Sequence, residues 1–313
     1  MATNVLLTID TELIWRSNVE RANWQDMFAR SYNPAGVGVP YQLRKLAQHR
    51  LKAVFFVDPM PALHFGIEPL RRMVAPILEA GQSVELHLHP QWASLEDGKP
   101  TRSFELIDYS EAEQRDLLER GIALLVEAGV PRPIAFRAGS YGANDATLRA
   151  LASLGIRYDS SHNGTAHPWP SIISLPVEAI APVRHEGVTE IPVTTIAEPA
   201  GLRHMQICAL SYAEMGGALR HAADQAHSVV TIVGHSFELA ARNGLRANRV
   251  HLSRFERLCA FLDRNRDAMP TRTFADLEPL PLNVDAHAFR NTLPQRLTRR
   301  VAQAWSNYVE ERG

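Results

Sequence analysis

The chain has 313 residues, enough for one large domain or two modest ones. Its 33 basic and 34 acidic side chains leave a formal net charge of -1, which argues against a polyanionic partner such as nucleic acid. Cys208 and Cys259 make no disulfide framework, Met1-Ala2-Thr3-Asn4 lacks a basic leader region, and no apolar run reaches transmembrane length, so the expected compartment is the cytoplasm.

In chain order, short β-branched runs alternate with longer helical patterns. Val5 to Ile9 reads as the first strand, Tyr41 to His49 as a helix and Leu51 to Val57 as the second strand. Pro69 to Ala80 reads as a helix closed by Gly81, and Ser83 to His89 as the third strand. Ser110 and Glu113 have the spacing of a capping box for a helix that ends at Gly129. Ile134 to Arg137 is the fourth predicted strand, Asn144 to Leu154 a helix stopped by Gly155, and Ile156 to Tyr158 the fifth strand.

The rhythm breaks between Ser160 and Pro199, a stretch rich in Pro and His. It reads as an elaborated crossover with a small hairpin, its extended pieces near Ile172 and Ile191. Helix resumes from Ser211 to His227, strand from Val229 to Gly234, and helix from Asn248 to Arg264; Thr273-Phe274 reads as a last short strand. Such alternation predicts a parallel sheet, closed or open. Pro294 to Arg312 reads as a helix packed on the domain surface. Its Leu297, Val301, Ala304, Trp305 and Tyr308, on one side, also allow a membrane-surface or subunit contact.

Ionisable residues gather at the C-terminal ends of these strands, the edge where parallel α/β folds bind ligands. Positions i and i+2 of extended backbone face the same way, so Asp10 and Glu12 can enter one site. By the same rule Glu85, His87 and His89 share a face, and the two imidazoles can chelate one divalent ion of the zinc or nickel kind. Arg137 opens a loop, Arg137-Ala138-Gly139-Ser140-Tyr141-Gly142, suited to holding a carboxylate and offering backbone N–H groups to an oxyanion. His235 ends an apolar strand on the same edge, where a general acid is useful. Asp159, after the fifth strand, can orient His235 or cap a turn. Trp15, Trp92, Tyr109 and Trp169 lie in loops after strands, where aromatic faces can stack on sugar rings.

Together these clusters resemble the polysaccharide deacetylase family, the NodB-homology group of carbohydrate esterases, family 4-like. The order is the same: acidic motif, His motif, Arg-Gly-aromatic motif, Asp after a strand, final His. The segment Leu51 to Asp58 resembles that family's second strand and Phe274 to Leu277 its closing segment, so the resemblance runs from about Val5 to Leu277. It implies an α/β fold, a distorted (β/α) barrel of about seven parallel strands. Residues 1–277 would form the NodB-like domain, with an insertion at about 160–200, and 278–313 a C-terminal extension with a packed helix.

The resemblance also implies hydrolysis of N-acyl groups on sugars with one divalent metal ion, zinc foremost, with nickel, cobalt and manganese as alternatives. Asp10 matches the family's catalytic base. Glu12 replaces a metal-binding acid whose usual place holds Thr11. His87 matches the first metal histidine, and His89 stands in for a second whose usual place holds Gln91, as in an HLHP-type branch. Arg137 matches the arginine paired with the base, the N–H of Tyr141 or Ser140 the oxyanion donor, and His235 the general acid. An amino-sugar-containing small molecule, glycolipid precursor or oligosaccharide is the implied substrate. Two alternatives stand beside this reading: a relative that hydrolyses a cyclic amide or formamide, and a catalytically inactive carbohydrate-binding member, suggested by Thr11 and Gln91.

Overall fold

Alternation along the central strands decides how this chain folds: one face of each strand is uniformly apolar, while the other changes from apolar to ionisable along its length. A computed structural model describes residues 2–14, 23–96, 104–277, 279–284 and 286–311. The first half runs β1 (Asn4–Thr11), α1 (Trp24–Tyr32), α2 (Val39–His49), β2 (Val54–Val57), α3 (Ala62–Phe65), α4 (Glu68–Glu79), β3 (Ser83–Leu88), α5 (Gln91–Glu96), α6 (Glu111–Glu127) and β4 (Ala135–Ala138). It continues α7 (Asp145–Ser153), β5 (Tyr158–Asp159), β6 (Val183–His185), β7 (Val188–Glu190), β8 (Thr195–Glu198), β9 (Gly201–His204), α8 (Tyr212–Asp224), β10 (Val229–His235), α9 (Arg249–Arg264) and α10 (Leu293–Trp305).

The main sheet has the order β10-β1-β2-β3-β4-β5-β7-β6. Its neighbours are parallel except for the antiparallel β7–β6 pair. This gives the expected seven parallel strands, plus one return strand. The sheet curls into a half-barrel. Its open side is bridged where Thr194 N–H reaches Thr231 O at 3.3 Å and Val233 N–H reaches Met205 O at 2.9 Å.

Val5, Leu7, Ile9, Phe55, Leu86 and Ile232 face outward and pack under the helices in the larger core. Inside the barrel a smaller cluster holds Leu6, Val54, Phe56, Ala135 and Tyr158 around Phe274. That ring lies 5.7 Å from Phe56 and 5.4 Å from Tyr158, plugging the N-terminal end of the barrel. Thr273-Phe274 is therefore not the last strand the sequence predicts. Phe274–Asp276 is one 3-10 turn, tied by Thr273 N–H and Oγ1 donating to Asp276 Oδ2 at 3.0 and 2.8 Å. Where the sequence predicts one small hairpin between Ser160 and Pro199, β6–β7 lies inside that stretch and a second hairpin, β8–β9, runs past it to His204; Ile172 lies in no strand. Helices α1, α3 and α5 have no counterpart in the sequence-based assignment.

The capping box that the sequence predicts at Ser110 is present. Ser110 caps α6 with Glu113, and Ser211 caps α8 with Glu214 in the same reciprocal way. Helix α10 begins with another such box, Thr292 and Gln295, and passes into a π-helical turn over Ser306–Glu310. It docks by polar contacts rather than apolar ones. Arg299 Nη2 bonds Glu198, Arg299 Nε reaches Glu214 Oε1 at 3.0 Å, and Asn291 Nδ2 donates to both carboxylates at 2.9 Å. No helix among the described residues is long and apolar enough to cross a membrane.

Glu214 is fully buried, so Arg299→Ala leaves its carboxylate without an ion-pair partner, beside a Glu198 that keeps only Arg203. The expected cost is about 3 kcal/mol, read as a shifted urea-denaturation midpoint. A loss under about 1 kcal/mol would mean that α10 contributes little to folding.

Candidate metal centre and active site

The inward alternation that buries Leu6, Val54 and Ala135 at one end brings Thr8, Asp10, Asp58, His87 and Arg137 to the other. Strand register then sets who sits beside whom. Asp10 pairs with His235 across β1–β10, and His87 with Arg137 across β3–β4. The site is thus at the C-terminal strand edge, as the sequence predicts.

Glu12, His87 and His89 bring one ligand atom each within 4.8 Å of one another. His87 Nε2 lies 3.8 Å from Glu12 Oε2, and His89 Nε2 contacts the same oxygen. His87 Nδ1 donates to the Arg137 carbonyl at 2.8 Å, which fixes the ring and turns Nε2 into the site. This outer bond is the usual support of a metal-binding histidine. Burial, reinforced by the charge on His89, lowers His87 to about 4, so that ring is a neutral donor at pH 7. Burial alone would lower His89, but Glu12 outweighs it and raises His89 to about 9. Glu12 responds in kind: burial would raise it, yet His89, His87 and His235 hold it at about 2. Two imidazoles and one carboxylate around a common point form a donor set that suits a divalent ion. Buried polar atoms without a protein partner, Asp58 Oδ2, Glu105 Oε2 and Tyr141 OH, fit a site built for a polar guest.

Beside this trio, Arg137 Nη1 donates to Asp10 Oδ1 at 2.8 Å and to Thr8 Oγ1 at 2.7 Å. Arg137 is fully buried, its Nε and Nη2 reach the Ser160 carbonyl and hydroxyl at 3.1 Å, and its guanidinium lies 4.4 Å from the Phe56 ring centroid. On the other flank Glu238 Oε2 and Gln206 Nε2 approach His235 Nδ1 at 3.5 and 3.2 Å, leaving Nε2 for a substrate. Burial would lower His235, but the Glu238 hydrogen bond and the charges of Asp10, Glu238 and Glu12 raise it to about 9. A cavity of about 390 Å³ opens beside His235 and Glu238, with Ile14, Arg30, Gln303 and Asn307 in its wall.

The structure brings Asp10, Glu12, His87, His89, Arg137 and His235 to one rim. Tyr141 follows it in a turn where Ser140 and Tyr141 have φ of 52° and 62°, a left-handed pair that L-residues adopt at a cost. Asp159 serves a turn and not His235. It accepts from Ser161 N–H at 3.1 Å and Ser161 Oγ at 2.7 Å, and shares a buried carboxyl pair with Glu190. Glu85 shares the histidine face but sits deeper, accepting from Ile134 and Ala135 N–H groups at 2.8 and 2.9 Å.

Of the aromatics, Trp92 is 1% exposed and is core, Tyr109 packs against the core, and Trp169 is 64% exposed. Trp15 lies outside the described residues. Sequence reasoning missed Glu238 as the partner of His235, although it stands three residues on. It also missed Asp58, whose signal was its position, two after inward-facing Phe56. Burial raises Asp58 to about 7, against the pull of His89.

No family model and no curated protein sequence matches the chain. Among solved structures, a candidate polysaccharide deacetylase from Mycobacterium smegmatis is 20% identical, with a TM-score of 0.57 over 91% of this chain and 95% of that one. A 4-alpha-glucanotransferase from Thermococcus litoralis is 11% identical, with a TM-score of 0.52 over 88% of this chain and 40% of that one. At these identities the likeness establishes the fold, a NodB-like (β/α) half-barrel. Two different enzyme names on one fold mean that the reaction has to be argued from the side chains.

Gly139 gives the metal geometry a direct test. A Cβ there would lie 2.5 Å from the His89 ring. If Glu12, His87 and His89 hold a divalent ion, Gly139→Ala should displace His89 and weaken the binding of added zinc at least about tenfold by calorimetry, with the fold intact. Unchanged affinity would remove His89 from the ligand set.

Proposed function

We propose that this chain is a divalent-metal-dependent hydrolase that removes an N-acetyl or other N-acyl group from an amino sugar or a sugar-containing precursor. One observation carries the reading. Glu12, His87 and His89 converge on a rim that also holds the Asp10–Arg137 pair and the His235–Glu238 pair. A base, an acid and a metal-donor trio in one place are what amide hydrolysis requires, because the amine leaves only if protonated. The departures at Thr11 and Gln91 do not argue for an inactive protein, since Glu12 and His89 supply the donors those positions lack.

A divalent ion held by Glu12, His87 and His89, zinc by the chemistry of the donors, would polarise the acyl carbonyl and make a water acidic. The protein's own groups do the rest. Asp10, oriented by Arg137, takes the proton from the attacking water. The N–H of Tyr141 or Ser140 faces the developing oxyanion. His235 retains its proton to about pH 9 and delivers it from Nε2 to the leaving nitrogen. Glu238 holds that ring in place. Burial would raise Glu238, but its bond to His235 keeps it below the usual carboxylate range.

Acetate release from N-acetylated amino sugars tests the reading. Asp10→Ala and His235→Ala should each lower kcat at least about a hundredfold. Rates like wild type in both would overturn it. Chelation should abolish turnover and added zinc restore it.

The pH profile tests the acid separately. A group that must stay protonated makes the rate fall as pH rises through its pKa, so kcat/KM should decline above about pH 9. Glu238→Gln removes the charge that raises His235 and should move that falling limb to lower pH. An unmoved limb would assign it to another group.

A further inference from the structure

Helix α10 faces the wrong way for a helix that merely packs. Leu293, Leu297, Val301 and Trp305 recur every fourth residue, and all are between 51% and 71% exposed. Tyr308 and Val309 extend the patch at 64% and 42%. A surface helix ordinarily turns its apolar stripe inward and its polar side to water. Here Arg299 and Ser306 point inward, Arg299 to Glu198 and Glu214, and Ser306 to Asn248. A contiguous exposed patch of this kind marks an interaction surface.

The margins of the patch are cationic. Leu293–Trp305 holds three arginines and no acid. Arg300 is exposed on the flank of the stripe, and Arg296 is half-buried beside it. Arg249 and Arg257 of α9 are exposed and line one hollow together with Thr298, Ala302 and Trp305. The acids nearby are engaged. Glu310 is buried, and Glu311 accepts from Asn248 Nδ2 at 2.8 Å and Arg242 N–H at 2.7 Å.

We propose that this face docks on an anionic lipid surface, with Leu297, Val301 and Trp305 at the acyl boundary and Arg296, Arg300, Arg249 and Arg257 at headgroup phosphates. Amphipathic rings such as those of Trp305 and Tyr308 suit that boundary, and basic side chains beside an apolar stripe are the signature of a helix lying in it. A second copy of the chain fits less well. A twofold contact sets the same patch against itself, bringing the arginine margins together with no carboxylate to meet them. Docking goes beyond the hydrolase reading and does not depend on it. The two meet at one point: Gln303 and Asn307 of the same C-terminal segment line the cavity that holds His235 and Glu238. A docked molecule would therefore open its site close to the lipid headgroups.

Vesicle flotation of the full chain tests this without any assay of activity. The chain should float with vesicles of phosphatidylcholine mixed with phosphatidylglycerol, should not float with phosphatidylcholine alone, and should be released by high salt. Val301→Glu and Arg300→Glu should each lower the bound fraction at least about tenfold, with circular dichroism and Tm unchanged. Three results would overturn the proposal: no binding to the anionic vesicles, binding that Val301→Glu leaves intact, or a wild-type dimer that Val301→Glu converts to monomer in light scattering.

Discussion

The buried guanidinium of Arg137 is the constraint on which the polar end of the barrel depends. It bonds Asp10 and Thr8 on β1, lies against Phe56 on β2, and reaches Ser160 beyond β5. Its own carbonyl fixes His87 on β3. Five neighbouring strands are thereby registered by one residue, and both flanks of the site, Asp10 and His87, take their orientation from it. A buried cation is tolerated only when its donors are satisfied, and Arg137 has a partner for Nη1, Nη2 and Nε. Removing Asp10 would leave that charge without its counter-ion, so Asp10 also contributes to holding the site together.

A single period of two explains why so much of the site could be read from the sequence. Once β1 and β3 are recognised as strands, Asp10, Glu12, His87 and His89 must share the barrel interior with Leu6 and Val54. Parallel order then stacks their C-terminal ends. What failed was the choice among partners far apart in sequence. Asp159 ends β5 and Glu238 follows β10, and local pattern does not say which of them lies near His235. The strand ends decide it: Asp159 turns back onto Ser161 and Glu190, while Glu238 folds under His235 within a single turn. Trp92 failed for a different reason. A loop aromatic looks available for a sugar until a short helix, α5, carries it into the core.

His87 and His89 show how far environment separates two identical side chains two residues apart. Burial makes His87 a weak base, whereas the Glu12 carboxylate makes His89 a strong one. The cluster therefore carries its own counter-charge: a proton on His89 balances Glu12. A divalent ion would replace that proton, since a ligating imidazole must be deprotonated. The charge on His89 opposite that on Glu12 is why the three groups can sit so close in a barrel interior without repelling one another apart.

The orientation of α10 follows from comparing two costs of similar size. Turning the helix to bury its stripe would recover roughly 1 kcal/mol for each of four half-exposed side chains, about 4 kcal/mol in all. It would also withdraw Arg299 from Glu198 and from fully buried Glu214, a loss of about 3–5 kcal/mol. The ion network therefore holds the helix as it lies by a narrow margin in water. A surface that covers the stripe removes the hydrophobic cost while leaving Arg299 in place, and so converts a near balance into a clear preference. The same contact would steady Gln303 and Asn307 in the wall of the cavity beside His235. The buried charges of the fold thus determine which face of α10 meets its surroundings, and that face is both apolar and rimmed with arginine.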